Sequence, residues 1–283
     1  MADVMMHFDE GLCAFMTKDE MKTKAPYIFA DKPTNGGVSE RYTLASTETL
    51  IDDMAKLGWG VTDCKQQRAN KRSNVRSFHM VSFQNPDVYI EGEGGKIEAY
   101  PRVIITNSHD GFHSFKFMIG LYRLVCSNGL IIATQEFANV SIRHINYEFE
   151  ELRRIVAQAI EATRKNVEVM NAMQETELTD AQKVEFATKA VAIRKGVKDG
   201  EKMPKLTDKE VEEILEPVRD EDKGNDLWSV YNVLQEKVMK GDFHFGKTKL
   251  GKNRKARPIT GAAKDIEVNQ KLFETASSYL LAA

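Results

Sequence analysis

Residues 121–132 read LYRLVCSNGLII. Apolar side chains alternate along both arms, and Asn128-Gly129 between them is the dipeptide that tight hairpin turns favour, because it tolerates positive φ. The segment therefore reads as strand, turn, strand. Arg123 is the exception within it, since a charge on a core strand calls for a partner, either a buried acid or a phosphate.

Working outward from this hairpin, residues 107–111 (NSHDG) carry an Asp-Gly turn signal, and residues 100–107 (YPRVIITN) are rich in the β-branched side chains that suit a pleated surface. The stretch 112–125 is expected to run as one long strand or two bent ones. Residues 78–83 (FHMVSF) and the alternating run from Trp59 to Cys64 add two strands, residues 88–91 a short one before a GEGG turn, and residues 137–144 (FANVSIRH) a last one. Residues 1–45 are punctuated by Pro26, Pro33, Gly36 and Gly37 and read as irregular, with a short exposed helix near residues 16–24. Thr47 is expected to cap a helix whose apolar stripe is Leu50, Ile51, Met54 and Leu57, with Gly58 as its stop.

Downstream the period changes to that of helices. Residues 147–173 contain no Pro or Gly and place Leu152, Ile155, Val156, Ala159 and Ile160 at helical spacing. Further helices are expected over residues 179–195, 208–215, 227–239 and 262–281, the third amphipathic with Trp228, Tyr231, Leu234 and Val238 on its apolar face. The fold class is therefore α+β, an antiparallel β-sheet in the N-terminal half packed with a helical C-terminal half. Its expected divisions are an irregular segment 1–45, a β-rich core 46–146 and a helical region 147–283 holding a basic loop at 246–258.

A chain of 283 residues can bury one large core or two smaller ones, and 42% apolar with 29% charged residues is ordinary for a water-soluble protein. No apolar run approaches the roughly 18 residues that span a bilayer, and the start MADVMMHFDEGL lacks the basic flank of a signal peptide. A cytoplasmic location without membrane contact is expected. Cys13, Cys64 and Cys126 are odd in number and form no CxxC pair, which supports neither a zinc ribbon nor a disulfide framework. They read as small buried hydrophobes, and Cys126 has no fixed histidine partner that would make it a nucleophile.

The net charge of −2 argues against a generally basic nucleic-acid binder but leaves room for local patches. Lys65, Arg68, Lys71, Arg72 and Arg76 form one, with no acid between Asp63 and Asp87. Lys247, Lys249, Lys252, Arg254, Lys255 and Arg257 form a denser one after Phe243, His244 and Phe245, with no acid between Asp242 and Asp265. Cations of this kind neutralise phosphates and nearby aromatics stack on unpaired bases, so single-stranded DNA is the favoured partner. A solvated charge run, paired with the acidic stretch 210–226, is the bland alternative. His109, Asp110 and His113 form an H-D-x-x-H pattern that falls on a turn and does not match the helical metalloprotease motif. A metal site across that turn would need a third ligand the sequence does not identify. Residues 241–248 (GDFHFGKT) formally satisfy GxxxxGK[ST], but no β-run precedes Gly241 and two phenylalanines crowd what should be a backbone cradle. No cofactor and no catalytic residue is assigned.

Three segments then occur in a telling order: NSHDG at 107–111, RLVCSNGL at 123–130 and WSVYNVL at 228–234. Together, over about residues 45 to 280, they resemble the phage- and plasmid-like family known as domain of unknown function 932. The resemblance implies a mobile-element setting, among genes that process DNA or counter restriction, and supplies no catalytic residues. The expected function is a non-catalytic nucleic-acid binder of a phage or mobile element, in replication or single-strand annealing, with homo-oligomerisation compatible. The alternative is an interaction protein that inhibits a host defence factor. A metal-dependent nuclease using His109, Asp110 and His113 is the third reading.

Overall fold

The computed structural model describes residues 14–34, 46–67, 77–91, 97–111, 113, 115–123, 129–132, 149–198, 200–247 and 251–280. The chain is α+β, with an antiparallel sheet in its N-terminal half and helices in its C-terminal half. Two compact units divide it, Met1–Thr163 and Arg164–Ala283.

In the first unit, β1 (Gly60–Gln66), β2 (His79–Gln84), β4 (Ile97–Asn107), β5 (Lys116–Arg123) and β6 (Gly129–Ile132) lie side by side in that order, and β3 (Ile90–Glu91) pairs with β4. Every pairing is antiparallel. The hairpin of residues 121–132 is present: Leu121 faces Leu130 and Tyr122 faces Gly129 across β5 and β6. Residues 124–128, the expected strand 137–144 and the GEGG turn lie outside the described residues. The long strand expected from residue 112 begins only at Lys116.

Because side chains alternate along a strand, Val81, Phe83, Val103, Ile105 and Phe117 share one face of the sheet. They join a core with Leu50, Ile51 and Met54 of α2 (Thr47–Lys56) and Leu152, Ile155 and Val156 of α3 (Phe149–Gln174). The short helix expected near residues 16–24 is present, but it is not wholly exposed. Helix α1 (Lys18–Lys24) is closed by a capping box between Thr17 and Glu20, and Met21, Ala25 and Ile28 are buried in the same core. A seven-residue helix with one apolar side chain shows no periodicity to read, so only the tertiary contact reveals its role.

Thr47 also differs from expectation. Ser46 is the N-cap of α2, accepting from the Thr49 N–H at 3.2 Å, while the Thr47 side chain turns inward. Its Oγ1 lies 2.8 Å from Nε2 of buried His79 and accepts from Asn107 Nδ2 at 2.9 Å. His79 Nδ1 is 2.7 Å from the Ser77 carbonyl. A carbonyl only accepts, so Nδ1 carries the proton and Nε2 accepts from Thr47. Burial, with the nearby His109 ring adding, pushes the His79 pKa down to about 3.

That shift has a signed consequence. The unfolded chain takes up this proton near pH 6.5 and the folded one only near 3, so in between the unfolded state binds more protons and stability is lost as pH falls. The loss attributable to His79 is about 2 kcal/mol by pH 5. Thermal melts of wild type and His79→Gln from pH 8 to 4 check this, with a flatter profile expected for the variant; parallel profiles would assign the acid sensitivity elsewhere.

The second unit is built from α4 (Asp180–Lys195), α5 (Asp208–Leu215), α6 (Leu227–Lys240) and α7 (Ala262–Leu280), with a ribbon of β7 (His244–Lys247) and β8 (Asn253–Lys255). Helix α6 is not amphipathic in place: every residue from Leu227 to Val238 is buried. Its polar residues are therefore partnered inside. Gln235 donates to Asn269 of α7 at 2.9 Å, and Glu236 pairs with Arg219 at 2.6 Å. Aromatic contacts tie the helices, Phe186 to Tyr279 at 5.4 Å and Tyr231 to Phe273 at 6.0 Å between ring centroids. The basic loop expected at 246–258 contains an antiparallel ribbon, His244 facing Lys255 and Lys247 facing Asn253. Among the described residues no helix is long and apolar enough to cross a membrane.

Candidate functional site

The ends of α4 and α6 and the segment returning from the ribbon meet in the second unit, and two residues hold them there. Helix α6 ends at Gly241, which is left-handed with φ 77° and donates its N–H to Lys237 O at 2.8 Å. A side chain at this position would place its Cβ 2.4 Å from the carbonyl carbon of Arg257. The chain returning from the ribbon thus crosses directly over the glycine. Arg194, near the end of α4, donates to the carbonyls of Val238 and Arg257 and so ties α4, α6 and the returning segment together. Backbone bonds from Ala256 N–H to Phe243 O and from Ile259 N–H to Met239 O, both 2.9 Å, complete the seam.

An open groove of about 1070 Å³ runs along this seam. Its wall carries Arg194, Lys195, Arg254, Lys255, Arg257 and Lys264, and among the described residues no Asp or Glu lines it. Two rings lie beneath the cations. The Arg194 guanidinium is 5.9 Å from the buried Phe243 ring, and Phe245 has both Lys195 at 5.9 Å and Arg254 at 5.5 Å. At the rim, Lys255 pairs with Asp242 at 3.0 Å and Lys264 with Glu267 at 3.2 Å. The hydrogen bond from Lys255 holds the Asp242 carboxyl below its ordinary value. These exposed pairs contribute little to stability, and a polyanion could displace them.

The structure sorts the sequence candidates. Arg254, Lys255 and Arg257 come together in the groove; Lys247 lies against α5 instead, Lys252 is exposed beside the ribbon, and Lys249 lies outside the described residues. Arg194, Lys195 and Lys264 were not anticipated. Basic residues just before Gly196 are explained by the helix C-terminus alone, so their sequence context hides any second use. In the first unit Lys65 is half-buried in β1, 3.9 Å from Asp63, and Arg123 ends β5 opposite Ala99. Arg68, Lys71, Arg72 and Arg76 lie outside the described residues.

The acidic stretch does meet the ribbon, and among the described residues it does so through Gly246 and His244. Glu210 accepts from the Gly246 N–H at 2.6 Å, and Glu213 lies 2.8 Å from His244 Nδ1. His244 is thereby engaged with α5, while Phe243 and Phe245 are buried rather than free to stack. Gly241 serves as a helix end and crossing point, so GDFHFGKT runs from a helix terminus into β7 and not around a phosphate cradle.

His109, Asp110 and His113 take structural places at the end of β4. Asp110 accepts from the Ser77 N–H at 3.0 Å, the His109 N–H donates to Ser77 Oγ at 2.6 Å, and the His109 ring packs 4.9 Å from His79. His113 packs on Phe78 at 4.8 Å. Among the described residues no group of three His, Cys, Asp or Glu side chains is placed to hold a metal ion. Cys64 is buried, and burial pushes its thiol up to about 11, which leaves it a core residue with no thiolate near neutral pH.

With this geometry in hand, the family model described as Domain of unknown function (DUF932) matches residues 35–273. The chain belongs to the DUF932 family. The resemblance carried by NSHDG, RLVCSNGL and WSVYNVL is therefore correct, and the DUF932 region takes in the whole lining of the groove, Arg194 to Lys264. Two relatives from Escherichia coli K12 align along nearly the full length. UPF0380 protein YfjQ is 27% identical over 267 residues, 94% of this chain and 92% of its own. UPF0380 protein YafZ is 28% identical over 267 residues, with the same two shares. No solved structure matches the chain.

Proposed function

We propose that this protein is a non-catalytic nucleic-acid binder of a phage or other mobile element, acting in the host cytoplasm in replication or strand annealing, and that the groove of the second unit is its interface. One observation carries the reading: among the described residues, six cationic side chains line one open groove and no carboxylate does. A run of positive charge that wide suits a repeating phosphate backbone, whose condensed counterions are released on contact. The acids that motivated a host-factor decoy are partly engaged within the unit, Glu210 and Glu213 on β7 and Asp222 on Arg219 at 3.0 Å, which weakens that alternative.

Fluorescence anisotropy with a labelled single-stranded oligonucleotide tests the proposal. Micromolar or tighter affinity at about 50 mM salt, falling steeply towards 200 mM, is expected of a groove making several phosphate contacts. Absence of binding at the lower salt would remove it.

A further inference from the structure

The cations of the groove are not equivalent. Asp242 is taken up by Lys255 and Glu267 by Lys264, whereas Arg254 meets the ring of Phe245. Among the described residues no carboxylate pairs with Arg254, which is exposed on β8. Phe245 is itself fixed: its ring is buried, 5.5 Å from that of Phe243, and the backbone of the next residue, Gly246, is pinned by Glu210.

A guanidinium is planar and weakly hydrated, so a ring under one face leaves the other face flat and ready to stack. A phosphate contact is made by the edge of the guanidinium and leaves that outer face uncovered. We propose that Arg254, laid on Phe245, is a base-stacking platform that makes single-stranded nucleic acid, rather than duplex, the ligand of the groove. This rests on the nucleic-acid reading above and adds the substrate class to it. Arg257 and Lys195 then track the phosphates while Arg254 receives one unpaired base. A duplex keeps its bases stacked within the helix and offers Arg254 none.

The experiment compares three labelled probes of equal length: oligodeoxythymidine, an abasic oligomer with the same phosphates, and a duplex. Wild type is expected to bind the oligodeoxythymidine about tenfold more tightly than the abasic strand, the range of one stacked base. Arg254→Lys keeps the charge and loses the plane. It should bring the two strands to equal affinity while leaving abasic binding and its salt dependence unchanged. Equal binding of thymidine and abasic strands by wild type, tighter binding of duplex, or an equal loss on both strands in Arg254→Lys would each overturn the platform while leaving a polyanion groove standing. Failure of all three probes to bind at low salt would overturn the groove reading, and the platform with it.

Discussion

Replacing Gly241 by alanine is expected to destabilise the second unit by about 3 kcal/mol or more, a fall in Tm of roughly 10 °C. Two costs combine. The residue is left-handed at φ 77°, where an L side chain costs about 1–2 kcal/mol. The added Cβ would also lie 2.4 Å from the Arg257 carbonyl carbon and 2.6 Å from its oxygen. Backbone cannot rotate aside as a side chain tip can, so the returning segment must shift and the Arg194 hydrogen bond to Arg257 O with it. Gly246 is the internal control, since it is also left-handed, at φ 60°, but a Cβ there meets nothing within 4 Å. Gly246→Ala should cost only about 1 kcal/mol. Equal thermal melts for the two variants would show that the crossing over Gly241 is not tight.

Removing three groove charges together, Lys195→Gln, Arg254→Gln and Arg257→Gln, is expected to leave the melt nearly unchanged and to cut single-strand affinity on the order of a hundredfold or more at about 50 mM salt. Each phosphate contact contributes about 0.7 to the slope of log affinity against log salt for a single strand, so losing the two at Lys195 and Arg257 should lower the slope by about 1.4. Lys205→Gln with Lys209→Gln, just before and within α5, removes two positive charges elsewhere on the same unit. That pair should bind as wild type does. If both sets weaken binding equally, net charge and not the groove governs the association.

What the sequence disclosed follows physical range. β2 and β4 were readable because β-branched and aromatic side chains cluster locally, and α4 because Thr179 and Gln182 form a capping box at its start. The burial of α6 on all sides was not readable, since Ser229, Asn232, Gln235 and Glu236 look like a solvent face until α7 and Arg219 supply their partners. The ribbon was hidden by its glycines: Gly246 and Gly251, both left-handed, look like loop punctuation yet serve a tight antiparallel pair. Half of the groove was legible as the run from Arg254 to Arg257. The other half, Arg194, Lys195 and Lys264, arrives from α4 and α7, and sequence spacing does not encode that meeting.

The central claim is that nucleic acid lies along this seam. Amide hydrogen exchange on the full chain, with and without saturating oligodeoxythymidine, tests it most directly. Slowed exchange concentrated at residues 253–264 and 194–195 is the expected result. Slowing confined to other segments, with residues 253–264 exchanging as in the free protein, would contradict it.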